Sequence, residues 1–281
     1  MKKIGIIGSG TMGSGIAQIL ALKGYQVIII DIEEETLKKG MQRIDKQLER
    51  SVSKERLTQE EKDRAISLVS GSTALNDLQV ADLVIEAAIE DMEIKKEIFN
   101  ELDAICRPEV ILATNTSSLS ITELSRATRR PDKVVGMHFF NPVPVMKLVE
   151  VVKGEDTSAE TVNTVKEIAQ NLDKRPIEVK DRPGFVVNRL LIPMINEAAF
   201  LYGEKVASPE AIDKGMELGA NHPIGPLALA DLIGLDVCLA IMKSLHKNLG
   251  DDKYRPAPIL EEKVGKGELG RKSKQGFYSY S

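Results

Sequence analysis

Apolar residues come in short runs separated by stretches of helical periodicity. Ile4, Ile6 and Ile7 form one such run, a helical pattern extends to Gly24, and Val27–Ile30 forms a second. A helical pattern then covers Glu33 to about Ser53. Thr58 with Glu61 opens the next helix as a T-x-x-E capping box, so a helical hairpin is expected after the second strand. Further strands are expected at Leu83–Ala87, Val110–Thr114 and Val134–His138, separated by helices over about Asp91–Ile105 and Ile121–Ala127. Leu148–Val152 and Ile177–Val179 read as two more strands, with a helix starting near Ser158 between them.

This alternation predicts an α/β fold: a Rossmann-type doubly wound, mostly parallel sheet with a helical hairpin insertion, whose ligands belong at the carboxyl ends of the strands. From Pro183 the β-branched pattern fades and long helical stretches take over. The boundary is expected at Arg182–Pro183, giving domains 1–182 and 183–281, the second smaller and all-helical. A chain of 281 residues has room for two cores, and with aromatics at 4% and no Trp they must be aliphatic.

A formal net charge of −4 argues against nucleic acid or an anionic membrane as the main partner. Cys106 and Cys238 lie far apart, which suits a reducing compartment. Three histidines are too scattered to suggest a metal site. Met1-Lys2-Lys3 before Ile4 mimics the start of a signal peptide, but Gly5 breaks the apolar run, which ends at Gly8. No stretch reaches the ~18–20 apolar residues of a membrane span. A cytoplasmic protein is expected.

Gly8-Ser9-Gly10-Thr11-Met12-Gly13 follows the first strand and opens the first helix, the context in which a G-x-G-x-x-G motif has chemical meaning. Gly8 permits the tight turn, Gly10 lets the backbone approach a pyrophosphate, and Gly13 lets the helix pack on the strand, while free N–H groups at the helix start face the phosphates. Asp31 ends the second strand, where a carboxylate accepts hydrogen bonds from a ribose 2′-hydroxyl and repels a 2′-phosphate. That combination favours NAD over NADP. FAD, or a nucleotide bound without being used, fits the same glycines.

On the hairpin's first helix, Lys39, Arg43, Lys46, Arg50 and Lys54 fall on one face, opposite an apolar stripe of Leu37, Met41, Ile44, Leu48 and Val52. A solvated helix face is the plain explanation. The clustering of one sign also suits a phosphate-bearing substrate such as an acyl-coenzyme A.

Asn115-Thr116-Ser117-Ser118 and His138-Phe139-Phe140-Asn141-Pro142 each sit at the carboxyl end of an expected strand, on the ligand edge of the sheet. Glu150 lies within the apolar run Leu148–Val152, where an unpaired carboxylate is costly to bury, so it needs a partner. Oxidising an alcohol needs a base that takes the hydroxyl proton as hydride leaves carbon, a task suited to His138 with Glu150 fixing its tautomer. Ser117 alone is a weaker signal, since a loop serine commonly caps a helix.

Taken together, Gly8–Gly13, Asn115–Ser118, Met137–Pro144, Met146–Glu150 and Pro183-Gly184-Phe185-Val186-Val187-Asn188-Arg189 resemble the 3-hydroxyacyl-CoA dehydrogenases, especially the short bacterial enzymes acting on 3-hydroxybutyryl-CoA, over essentially the whole chain. The resemblance implies NAD-dependent interconversion of 3-hydroxyacyl-CoA and 3-oxoacyl-CoA, with His138 as general base paired to Glu150. It implies that Ser117 and Asn188 hydrogen-bond the reacting substrate. Cofactor contacts are implied at Gly8, Ser9, Gly10, Thr11, Met12, Gly13, Asp31, Glu90, Lys95, Asn141 and Lys272. Lys54 matches a lysine that reaches the coenzyme A phosphates, with Arg50 beside it, whereas a serine that contacts coenzyme A in some relatives falls on Gln47 here. Other readings remain: a hydroxyacid dehydrogenase of the same fold that uses a catalytic lysine, or a non-catalytic NAD-binding relative.

In the C-terminal domain the run Leu190–Ile195 contains Pro193, a possible kink, and is apolar enough to serve as core or as a subunit interface. A homodimer is expected. His222 and His246 have no acidic partner at a telling spacing and read as structural or exposed.

Overall fold

The segments KIGII, LVIE, ILAT and VVGMHF are buried along nearly their whole length, as strands must be when helices cover both faces of a sheet. They form the centre of an eight-stranded sheet in a computed structural model that describes residues 3–281. Met1 and Lys2, where the leader-like start begins, lie outside the described residues.

In chain order the first unit runs β1 (Lys3–Ile7), α1 (Thr11–Leu22), β2 (Gln26–Ile30), α2 (Glu34–Val52), α3 (Gln59–Ser67), β3 (Val69–Ser72), β4 (Leu83–Glu86), α4 (Met92–Ile105) and β5 (Ile111–Thr114). It continues through α5 (Ile121–Ser125), β6 (Val134–Phe139), β7 (Leu148–Lys153), α6 (Ala159–Asn171) and β8 (Arg175–Lys180). The spatial order is β3-β2-β1-β4-β5-β6-β7-β8. Every neighbouring pair is parallel except β6 and β7. The chain leaves β1 toward β2 and returns on the other side as β4, so the crevice between β1 and β4 is the switch point at which such sheets bind nucleotides.

The doubly wound class is as expected, and so is the α2–α3 hairpin. Thr58 Oγ1 accepts the Glu61 N–H at 3.1 Å and the Glu61 carboxylate accepts the Thr58 N–H at 2.8 Å, completing the capping box. Two strands differ from expectation. β3 was not anticipated, because Val69-Ser70-Gly71-Ser72 is neither an apolar run nor a clean alternation. It pairs along β2 at the sheet's edge, with Gly71 packed on Leu37. β8 extends from Arg175 to Lys180, beyond the short Ile177–Val179 run, since an edge strand needs few apolar positions.

The chain divides into compact units at Met1–Asp181 and Arg182–Ser281. The first has an aliphatic core of Ile4, Ile6, Ile16, Leu20, Ile29, Leu83, Ile85 and their neighbours. The second consists of α7 (Val187–Gly203), α8 (Pro209–Gly219), α9 (Pro226–Ile233), α10 (Leu235–Leu249) and α11 (Pro258–Gly265). Its core is built from Ile192, Ile195, Leu227, Leu235, Met242, Leu245 and Leu260. Pro193 lies inside α7, which runs on through it. The C-terminal segment is tied to this core by Asp231, whose buried carboxylate accepts the N–H groups of Phe277 and Tyr278 and the Tyr280 hydroxyl, each at 2.9 Å.

Candidate active site

The glycines after β1 separate by what surrounds them. A Cβ on Gly8 would lie 2.6 Å from the Ala87 carbonyl oxygen, at a φ of +92° that side chains resist, and one on Gly13 would lie 1.8 Å from the Gly8 carbonyl oxygen. These two are required by the protein's own packing. Gly10 is different. It is exposed at the start of α1, and a Cβ there meets no protein atom within 4 Å. Packing does not ask for glycine at that position, whereas a pyrophosphate lying against the α1 N-terminus would. The residues present therefore fit a dinucleotide.

Asp31, just past β2, accepts hydrogen bonds from the Ser9 N–H at 2.8 Å and the Ser9 hydroxyl at 2.7 Å through one carboxylate oxygen. The acid thus fixes the shape of the glycine loop as well as standing at the strand end. Arg43, counted with the outward basic stripe, turns inward instead: its Nη1 donates to the Ser9 carbonyl at 3.2 Å. It can do so because Gly40 brings α2 directly onto Ser9, leaving room for no Cβ. Lys39, Lys46 and Arg50 stay exposed, with Lys39 3.8 Å from Glu35. Lys54 is also exposed but lies in the turn after α2, which ends at Val52 rather than extending to this lysine.

His138 and Glu150 face each other across the antiparallel β6–β7 pair. Directly opposite residues of such a pair project to the same face about 5 Å apart, which is how a strand pairing brings together residues twelve positions apart. The His138 Nδ1 lies 2.8 Å from Glu150 Oε2, with Glu150 fully buried and His138 nearly so. An ionised carboxylate can only accept, so Nδ1 carries the proton and Nε2 the lone pair in the neutral ring. Phe140 packs on the imidazole with ring centroids 4.4 Å apart. Asn141 follows, exposed, with a cis peptide bond to Pro142.

Ser117 stands beyond the carboxyl end of β5 in a loop gathered around Glu90. One oxygen of Glu90 accepts from Thr116 Oγ1 at 2.6 Å, Ser117 N at 2.9 Å, Ser118 Oγ at 3.1 Å, Ser118 N at 3.2 Å and Ser117 Oγ at 3.3 Å. Partial burial pushes the Glu90 carboxyl toward its neutral form, but the Lys95 charge and the hydrogen bonds from Thr116, Ser117 and Ser118 outweigh it and hold the group below the ordinary carboxylate range. Lys95, on α4, is buried, with its Nζ 2.6 Å from Glu86 and 3.6 Å from Glu90. Asn115 braces the neighbouring strand end, its side-chain oxygen accepting the Phe139 N–H at 2.9 Å.

Sequence reasoning missed Glu86. It is fully buried at the end of β4 and holds Lys95 Nζ, Thr114 Oγ1 and the Ala88 N–H, each at 2.6 Å. The signal was available, because a carboxylate closing an apolar strand on the ligand edge needs partners for the same reason as Glu150.

In the second unit, Asn188 lies in the first turn of α7. Lys272 is exposed and ion-paired with Asp236 at 2.5 Å. His246, expected to lack an acidic neighbour, comes within 3.3 Å of Asp252 because α10 ends at Leu249 and the chain turns back.

Residues 3–182 match the family model of the 3-hydroxyacyl-CoA dehydrogenase NAD-binding domain, and residues 184–280 match that of the C-terminal domain. Over 279 residues, covering 99% of both chains, the sequence is 53% identical to a 3-hydroxybutyryl-CoA dehydrogenase of Clostridioides difficile. It is also 53% identical over 280 residues to a probable 3-hydroxybutyryl-CoA dehydrogenase of Bacillus subtilis, covering 100% of this chain and 98% of that one. The crystal structure of (S)-3-hydroxybutyryl-CoA dehydrogenase from Ralstonia eutropha superposes with a TM-score of 0.97 at 51% identity, covering 100% of this chain and 99% of that one.

Proposed function

The chain belongs to the 3-hydroxyacyl-CoA dehydrogenase family, and on that premise we propose that it interconverts (S)-3-hydroxybutanoyl-CoA and acetoacetyl-CoA with NAD. The observation that carries the chemistry is the buried His138–Glu150 pair at the ligand edge of a sheet whose glycine loop fits a dinucleotide.

NAD would be held by the Gly8–Gly13 loop, the N–H groups at the start of α1 and the Asp31 carboxylate, with Glu90, Asn141 and Lys272 as further contacts implied by resemblance; Lys95, implied likewise, is buried against Glu86 and would act on the cofactor only through Glu90. Bound there, it supplies the hydride acceptor for oxidation and, in its reduced form, the donor for the reverse. His138 Nε2 takes the 3-hydroxyl proton as the alcohol carbon is oxidised and returns it on reduction. The imidazolium formed in this step is stabilised by Glu150 at 2.8 Å, in a site shielded from water. Ser117 holds the reacting oxygen, a role the resemblance implies for Asn188 as well, and Arg50 and Lys54 serve the coenzyme A phosphates as exposed cations.

A dehydrogenase of this fold with a lysine base is disfavoured, because Lys95, beside the Ser117 loop, is buried and committed to Glu86. A non-catalytic relative is disfavoured by the presence of His138, Glu150, Ser117 and Asn188 together. We further assign a cytoplasmic homodimer: Cys106 and Cys238 are buried free thiols, as a reducing compartment keeps them, and Leu190 and Leu232 leave apolar surface exposed on the helical unit. Light scattering at micromolar protein should give twice the chain mass, and a single-chain mass overturns the dimer.

The function is tested by NADH oxidation with acetoacetyl-CoA and with longer 3-oxoacyl-CoA substrates, NADPH alongside. Turnover greatest with acetoacetyl-CoA and NADH is expected. Absence of turnover with every 3-oxoacyl-CoA removes the assignment.

A further inference from the structure

Glu86 lies at the end of β4, where the sheet meets its ligand edge, and no solvent reaches it. It sits at the root of two arms that end on the same loop, the first hydrogen-bonded throughout and the second passing through an ion pair. Along the first, Glu86 Oε2 accepts the Thr114 hydroxyl at 2.6 Å, and Thr114 Oγ1 accepts the Thr116 N–H at 3.2 Å. Because the carboxylate can only accept, the Thr114 proton must point to it, leaving the oxygen lone pairs for Thr116. Along the second, Glu86 Oε1 holds the Lys95 ammonium at 2.6 Å, which lies 3.6 Å from Glu90, and Glu90 gathers Thr116, Ser117 and Ser118.

We propose that Glu86 is a positioning residue that aims the Ser117 hydroxyl through these two arms. The inference rests on the assignment of Ser117 to the reacting substrate.

Charge and geometry support the assignment in three ways. The Lys95 Nζ lies between the two carboxylates, 2.6 Å from Glu86 and 3.6 Å from Glu90, so a change at Glu86 is felt at the acceptor that holds the loop's donors. One carboxylate oxygen cannot hold all five of those donors at full strength. Glu90 accepts both the backbone N–H of Ser117 at 2.9 Å and its hydroxyl at 3.3 Å, so the place of that hydroxyl follows the place of Glu90. A shift of Glu90 therefore moves the Ser117 backbone and its hydroxyl together. Glutamine at position 86 reverses this polarity: its amide nitrogen must face either the Lys95 ammonium or the Thr114 hydroxyl, so one arm loses its acceptor while side-chain volume is unchanged.

The experiment is a double-mutant cycle on acetoacetyl-CoA reduction with wild type, Glu86→Gln, Ser117→Ala and the double variant. Misplacing a catalytic contact by about 1 Å costs up to ~100-fold, so Glu86→Gln is expected to lower kcat/KM by about 10-fold or more when Ser117 is present. In the Ser117→Ala background the same change is expected to cost less than about threefold, because the group it aims has been removed. A merely structural role would lower both backgrounds equally, and that result overturns the inference, as does no loss in either. If Ser117→Ala alone leaves kcat/KM unchanged, the assignment of Ser117 fails and the inference with it. If Ser117→Ala is impaired and Glu86→Gln is not, only the inference fails. Should Glu86→Gln not fold, Thr114→Val, which removes the first arm alone, is put through the same cycle and judged by the same comparison.

Discussion

Replacing Glu150 with glutamine keeps the shape of the β7 side chain but changes what His138 Nδ1 meets at 2.8 Å. A carboxylate can only accept, so it selects the Nδ1–H tautomer, whereas an amide can present N–H and select the tautomer with its proton on Nε2, where the substrate's proton must go. The imidazolium loses its counter-charge as well. At an effective dielectric constant of about 20, unit charges at this separation attract by about 6 kcal/mol. Partial charge in the transition state and the residual amide hydrogen bond reduce the expected loss to about 3–5 kcal/mol, or ~10²–10⁴ in kcat/KM. The assay is absorbance of NADH in both reaction directions, with NADH affinity from fluorescence titration and fold from circular dichroism. NADH affinity should be retained, because the glycine loop is untouched. A folded Glu150→Gln enzyme within about fivefold of wild type would refute the pairing as a catalytic device.

Other substitutions separate fold from ligand binding. Gly13→Ala drives a Cβ to 1.8 Å from the Gly8 carbonyl and should destabilise the first unit by about 1–3 kcal/mol or more in thermal unfolding, whereas Gly10→Ala meets no protein atom and should keep the melting temperature while weakening NADH at least ~10-fold. Normal NADH affinity in Gly10→Ala would move the pyrophosphate elsewhere. Asp31→Ala removes a charged acceptor and the clamp on Ser9, so the NAD/NADP ratio of kcat/KM should fall on the order of 10-fold; an unaltered ratio rejects its role in cofactor choice. Because Glu90 is held below the ordinary carboxylate range, its stabilisation is present above pH ~4.3 and is lost as pH falls through its lower folded value. The stability gap between wild type and Glu90→Gln should therefore be full at neutral pH and close in acid, and a gap that stays constant into strong acid contradicts the charged network.

The elements that could be read from the sequence are those with a strong period or a chemical signature. β1, β4, β5 and β6 are apolar runs, α3 announces itself by its capping box, and Glu150 stands out as a carboxylate inside one such run. β3 escaped because Val69–Ser72 gains its strand character from pairing with β2 rather than from its own residues. Arg43 shares the spacing of the exposed basic residues, and only the close approach of Gly40 to Ser9 turns it inward. Glu86 was absorbed into the apolar pattern of β4, although burial of its charge at a strand end was the cue that would have found it. Spacing places residues on a face, but which of them meet depends on how closely two elements pack.

The central claim is that His138, held by Glu150, exchanges the proton of the 3-hydroxyl. The most direct measurement is the rate of NADH consumption with saturating acetoacetyl-CoA for wild type and His138→Gln, with NADH affinity determined on the same preparations. Loss of general acid–base catalysis should lower kcat by about 10²–10⁴ while NADH binding persists. Turnover by His138→Gln equal to wild type would contradict the claim.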